Sequence, residues 1–235
     1  DYFTTQFGAQ LSASGAAGDG EPIDASTFIP TGAAQSYLTL HYTVPFDNFT
    51  DAIAVDDAGD GSTWSAAHAQ YHDFFRRMTQ LFKYEDVLLV DANGNIVYSA
   101  FKGVDLGSNL DSGPLQRTNL AKAYTKAMNG NIADTVVLTD FGSYPPSLGV
   151  PAAWAVVPVA VNGTIIGTLA IEMPIDEINA VMTGGGDWAG SGLGRIAREA
   201  AHAGRAGGVV ARAGGEPEDV RGEHVTAAAA EGDAG

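Results

Sequence analysis

The chain has 235 residues, of which 28 are acidic and 12 basic, giving a formal net charge of −16; 45% are hydrophobic and none is cysteine. That length and apolar content allow a substantial core, while the acidic balance argues against nucleic acid or an anionic membrane as the main partner. The missing thiols exclude disulfides, thiolate metal sites and cysteine nucleophiles.

No apolar run reaches the roughly 18–20 residues of a membrane span, and no signal peptide is visible. The chain starts at Asp1 without a methionine, so the expectation is a piece of something longer. Tyr2, Phe3, Phe7 and Leu11 have helical spacing over Asp1 to Ser14. Gly15 to Gly32 reads as irregular, and Ala33 to Tyr42 as a short helix or an extended segment. After the turn cluster DDAGDGS, Ser62 or Thr63 caps a helix to about Phe82. VLLVDANGNIVYS (87–99) is a hairpin around Asn93-Gly94, since both residues tolerate positive φ. Regular alternation places Ile96 and Tyr98 on one face and Val97 on the other.

FKGVDLGSNLDSGP is a structured loop, Leu115 to Met128 a helix closed by Asn129-Gly130, and Thr135 to Leu138 a short strand. DFGSYPPSLGVP has too many prolines and glycines for a helix. AAWAVVPVAV and TIIGTLAIEM flank Asn162-Gly163 as a second hairpin, and Pro174 opens a short helix, PIDEINAVM. Five strands with hairpins at both ends and segregated helices give an α+β domain on an antiparallel sheet. Beyond Trp188 there is no aromatic residue, and the Ala/Gly/Arg/Glu-rich tail offers no core.

YHDFFRRMTQLFKYEDVLLVDANGNIVYSAFKGVDLGSNLDSGP, followed by TDFGSYPPSLGVPAAWAVVPV, GTIIGTLAIEMPIDEINAVMT and GLG, resembles the extracytoplasmic Cache sensor regions of bacterial transmembrane receptors. The resemblance is greatest to those fused to adenylate/guanylate cyclases, with histidine kinases and chemoreceptors as close relatives. It implies a PAS-like five-stranded antiparallel sheet in the order 2-1-5-4-3, with a long N-terminal helix and flanking helices. It also implies a homodimer in the full receptor, and membrane attachment through spans outside this chain. The domain reading is a lead-in over 1–62, the sensor domain over 63–183, and a linker and tail over 184–235. After GLG the chain reads RIAREAAHAGRAGG, where relatives continue into a second sensor module. The aromatic, arginine and aspartate signature of amino-acid-binding double Cache sensors is not recognisable, so amino acids are not a favoured ligand.

Several side chains carry candidate chemistry. His68 and His72 lie four apart, but HAQYH has neither the zincin glutamate nor a third ligand, so surface or cap-like roles are favoured over a metal site. DDAGDGSTW has Ala58 and Ala67 where a calcium loop needs ligands. Lys102 holds an anionic ligand or makes an ion pair, the second being favoured. Asp140, with Tyr144 and Ser147 nearby, meets a ligand amine or staples its loop through Asx hydrogen bonds. The PAS-like resemblance makes one sheet face a ligand cup, floored by Tyr98 and Trp154 and lidded by Tyr71 and Phe75. Tyr71, Phe75, Tyr98, Lys102, Asp140, Tyr144 and Trp154 are therefore the expected ligand-binding set. No catalytic constellation stands out. The expectation is a sensor of a small neutral or cationic organic ligand, without enzymatic activity, cofactor or metal. Its rivals are a ligand-free structural module and a free-standing binding protein.

Overall fold

A computed structural model of the protein describes residues 2–15, 17–18, 21–132 and 134–175, all within the compact unit Asp1–Met182. The helix expected from Pro174 and the tail lie outside the described residues, apart from the first two positions of that helix.

The helical spacing at the N-terminus is realised as a π-helical turn, Phe3–Phe7, running into α1 (Gly8–Ser14). Gly15 ends it in the left-handed region, at φ 66°. The next segment is helical rather than extended: α2 (Ala33–Leu38) continues as a π-turn to Thr43. A short α3 (Phe49–Ala54) follows, with Asn48 as its N-cap. α4 (Thr63–Phe82) starts where the cap residues predict, the Ser62 hydroxyl accepting from the Ser65 amide, and stops at Lys83 with φ 58°. α5 (Asn119–Met128) is capped by Thr118.

Five strands form the main sheet: β1 (Asp86–Asp91), β2 (Ile96–Ser99), β3 (Val137–Leu138), β4 (Pro151–Val161) and β5 (Thr164–Met173). All pairings are antiparallel and the order is β2-β1-β5-β4-β3, with Gly142–Ser143 adding a short ladder to the start of β4. This is the 2-1-5-4-3 order that the resemblance implies. β1 is internal, while β2 forms an edge. The two Asn-Gly turns differ. Asn162 and Gly163 both have positive φ (52° and 81°), as a two-residue turn needs, whereas in the first hairpin only Gly94 does, at 81°.

The alternation in β2 is broken by a bulge. Leu89 pairs with Tyr98 but the adjacent Val90 pairs with Ile96, so Val97 is the extra residue. Paired residues share a face, and Leu89 and Val90 point opposite ways. Ile96 and Tyr98 therefore lie on opposite faces, which corrects the regular alternation read from sequence.

Each face has its own cover. On one, Leu88, Val90, Ile96, Trp154, Val156 and Ala170 pack with Leu120, Ala121 and Tyr124 of α5 and with Phe3, Phe7 and Leu11 of the N-terminal helix. On the other, Val87, Tyr98 and Ala100 pack with Phe75 and Met78 of α4. Burying a large apolar side chain contributes about 1.5–3 kcal/mol, so both layers tie their helices to the sheet.

Candidate functional site

The structure does not gather the seven expected residues into one cup. Tyr98 lies on the α4 face and Trp154 on the opposite one, because the Val97 bulge turns Tyr98 away. Phe75 packs directly on Tyr98, with ring centroids 4.9 Å apart. Tyr71 is 57% exposed on the outer side of α4, so it is no lid. Asp140 is exposed, and its carbonyl accepts from Asn119. Trp154 and Tyr144 do meet: both are buried, with rings edge-to-face at 5.0 Å.

Lys102 is buried, and it makes no ion pair with any described residue. Its Nζ sits 2.8 Å from the carbonyl of Ala52, 3.3 Å from that of Ala100 and 3.0 Å from Nε2 of His72. His72 also reaches the Ile53 carbonyl through Nε2 and the Tyr98 hydroxyl through Nδ1, each at 2.7 Å. His68 Nδ1 lies 2.7 Å from the Asp56 carbonyl. The histidines are thus cap-like, as expected, but buried rather than on the surface. One turn apart on α4, they hold the C-terminal end of α3 and the chain just beyond it. Burial favours the uncharged forms. It lowers His72 to about 3 and His68 to about 4, and it lowers Lys102 to about 7.

Chemistry of a different kind collects on the Trp154 face. Asp86 and Glu172 are paired residues on β1 and β5, and Glu172 also pairs with Trp154, so both carboxylates point the same way as Trp154. Asp105 comes from the loop after β2 and accepts from the Tyr144 hydroxyl at 2.7 Å. All three acids are 5% exposed or less. Asp86 accepts from the amides of Val87, Ala100 and Phe101 and from the Ser99 hydroxyl. Glu172 accepts from the Ser147 hydroxyl at 3.1 Å.

These acids and Glu85 line an open cavity of about 330 Å³, together with Tyr144, Ser147, Phe49, Phe101 and Leu148. Among the described residues, no Lys or Arg nitrogen lies within 4 Å of the three carboxylates, and none lines the cavity. Burial is the largest cause of the raised proton affinity of all three; the Asp105 charge adds to it at Asp86, and the Asp86 and Asp105 charges add to it at Glu172. A larger cavity of about 730 Å³ shares the Phe49, Phe101 and Leu148 walls and opens towards Gln6, Gln10, Asn48 and Lys102.

Sequence reasoning missed this cluster. The signal was a lone acid inside an apolar strand: Glu172 is the fifth residue of TLAIEM and Asp86 precedes VLLV. Alternation from either residue leads to core positions, Ala170 and Leu88, where an acid needs a reason to be. Asp105 has no comparable pattern, because only the loop path brings it in.

The sheet order and the helices on its two faces are those of a PAS-like α+β fold. No family model and no curated protein matches the chain. Solved structures similar to it include the Vibrio cholerae histidine kinase DctB sensor domain, at 15% identity and TM-score 0.40 over 76% of this chain and 60% of that one. The sensory domain of the Campylobacter jejuni chemoreceptor Tlp3 with isoleucine bound is similar at 11% identity and TM-score 0.36, over 77% of this chain and 62% of that one. The ligand-binding domain of the Pseudomonas aeruginosa amino acid chemoreceptor PctC in complex with GABA is similar at 18% identity and TM-score 0.33, over 67% and 65%. The chain spans about three fifths of the length of the first two. Among the described residues, no helix is long and apolar enough to cross a membrane.

Proposed function

We propose that the chain is the extracytoplasmic small-molecule sensing region of a transmembrane receptor, homodimeric in the full protein, and that its ligand is a small organic cation. The observation that carries this reading is the cavity lined by Asp86, Asp105 and Glu172, with no Lys or Arg among the described residues of its lining. Three buried carboxylates repel one another and are poorly solvated, a cost that a bound ammonium group removes. A cavity of this volume suits a small ligand. Among the described residues its wall carries acids and no Lys or Arg, so an amine without an acid group fits it better than an amino acid. A ligand bound here touches Phe49 of α3 and the loop after β2, and it shifts a two-state receptor to the extent that it prefers one state.

The test is a thermal-shift screen of the whole chain with small primary amines and diamines, amino acids and dicarboxylates. Saturation at about a hundredfold over Kd contributes about 2.7 kcal/mol, a rise of roughly 5–10 °C for a domain of this size. Glu172→Gln should abolish the response to amines. A response to dicarboxylates alone would overturn the cation preference. No response to any class would favour a ligand-free structural module.

A further inference from the structure

The acid-lined cavity and the larger one beside it differ in chemistry but share a boundary. Phe49, Phe101, Gly103, Pro146 and Leu148 line both, and the Phe49 and Phe101 rings meet edge-to-face at 6.0 Å. On one side of that boundary stand Glu85, Asp86, Asp105 and Glu172. The other side, about 730 Å³, has Asp47 and Lys102 as the only acidic or basic residues of its lining, and its remaining polar residues are uncharged amides and alcohols. We infer that the two cavities form one two-part site, the ammonium of the ligand lying among Asp86, Asp105 and Glu172 and an uncharged, hydrogen-bonding tail lying against Gln6 and Gln10. A two-part site rests on the proposed binding of amines by the acids, and it adds the chemistry of the rest of the ligand.

Three observations select such a tail. The first is which polar groups are left for it. Asn48 gives its side chain to α3, accepting from the Asp51 amide and donating to the Asp51 carboxylate. The Thr43 hydroxyl donates to the Gly103 carbonyl. Lys102 turns its Nζ to the carbonyls of Ala52 and Ala100 and to His72. Gln6 and Gln10, about one turn apart on the N-terminal helix and both exposed, are the amides that remain, each with two donor hydrogens and an acceptor oxygen.

The second is charge. A second ammonium in the larger cavity would meet a single exposed carboxylate, Asp47, and an exposed ion pair contributes little. A carboxylate would meet only the committed Lys102. An uncharged tail gives up neither charge solvation nor hydrogen bonds there, and the apolar Phe49, Phe101 and Leu148 flank its crossing between the cavities.

The third is the backbone. Both π-helical turns among the described residues, Phe3–Phe7 and Thr39–Thr43, contribute residues to this cavity. Such turns are rare and are found frequently at functional sites.

The test is a calorimetric titration of the full chain at pH 7 with butylamine, butane-1,4-diamine, glycylglycinamide and glucosamine. At least one of the two polar-tailed amines should bind about tenfold more tightly than butylamine, the scale of two added hydrogen bonds, and the diamine should not. A gain with glycylglycinamide alone assigns a peptide-like tail, and a gain with glucosamine alone an amino sugar. Gln6→Leu combined with Gln10→Leu should bring the favoured probe down to the affinity of butylamine. Should that variant fold poorly, Gln10→Ala by itself should remove part of the gain. Butylamine binding that Glu172→Gln abolishes, with no gain from either polar tail or with a gain that survives the glutamine exchanges, would overturn the two-part site and leave the amine reading standing. Tightest binding of the diamine would overturn it in the same way. Failure of all four amines to bind would overturn both.

Discussion

Lys102 and His72 come from different elements, the turn after β2 and the middle of α4, and together they hold the last carbonyls of α3: Ala52 through Lys102 Nζ, Ile53 through His72 Nε2. A cation or donor at a helix C-terminus is well placed electrostatically. Burial nevertheless brings Lys102 down to about 7, outweighing the opposing charge of Asp86. Below that pH the folded state must keep a buried ammonium. Between about 7 and the unfolded value near 10.4, the unfolded chain binds a proton that the folded chain does not. Stability contributed by this group therefore rises with pH across that window. The wild type should gain unfolding free energy from pH 7 to pH 9.5 relative to Lys102→Met, by at most about 1.4 kcal/mol per pH unit, read from denaturant melts. Parallel pH profiles for the two proteins would mean that the amine is solvated.

The carboxylates predict the opposite slope. Asp86, Asp105 and Glu172 bind protons more tightly folded than unfolded, so their contribution is fully present at acid pH and is lost as pH rises from about 4 through their folded values. Without ligand, Glu172→Gln should stabilise the protein near pH 7 by about 1 kcal/mol, the scale of a single buried polar interaction, and change little near pH 4. Denaturant melts at both pH values check this. A variant destabilised at neutral pH would show that the Glu172 charge is already compensated.

Gly94 tests the turn of the first hairpin. Its φ of 81° disfavours any side chain, and a Cβ there would sit 2.9 Å from Oδ2 of Asp111. Gly94→Val should cost about 2 kcal/mol or more, through backbone strain and displacement of that loop. A melting temperature within error of the parent would mean that the turn relaxes freely.

The order of elements and the two hairpin pairings could be read from the chain because turns, caps and apolar runs are local, whereas the rest of the sheet order came only from the resemblance. Ser62 capping α4 and Gly94 in its turn are set by residues within a few positions of each other. The candidate site could not be read in the same way. Its three acids come from β1, β5 and a loop, and only the antiparallel β1–β5 register brings Asp86 beside Glu172. Trp154 and Tyr144 were legible as a pair because the far hairpin and the loop before it are adjacent in sequence. Pairing Tyr98 with Trp154 required every strand to alternate regularly. One extra residue undid it.

That extra residue gives the last prediction. Val97 is the bulged position of β2, 38% exposed, and its carbonyl accepts from the Trp64 indole at 3.2 Å. In an unbulged strand, adjacent residues face opposite ways. Deleting Val97 makes Ile96 and Tyr98 neighbours, so each keeps the face it has now: Ile96 beside Val90, and Tyr98 beside Leu89 and bonded to His72. The deletion should therefore be tolerated, at the cost of the Trp64 hydrogen bond and some strand twist, about 1–2 kcal/mol. Replacing Val97 by two residues should not be tolerated. In regular pairing from Ile96 it leaves Tyr98 on the α4 face but slides it two positions along β1, from Leu89 to Val87, which uncouples it from His72. Denaturant melts of the two variants, read with tyrosine fluorescence, separate the outcomes. If the deletion unfolds the protein while the insertion does not, the placement of Tyr98 beside His72 is set by something other than this register.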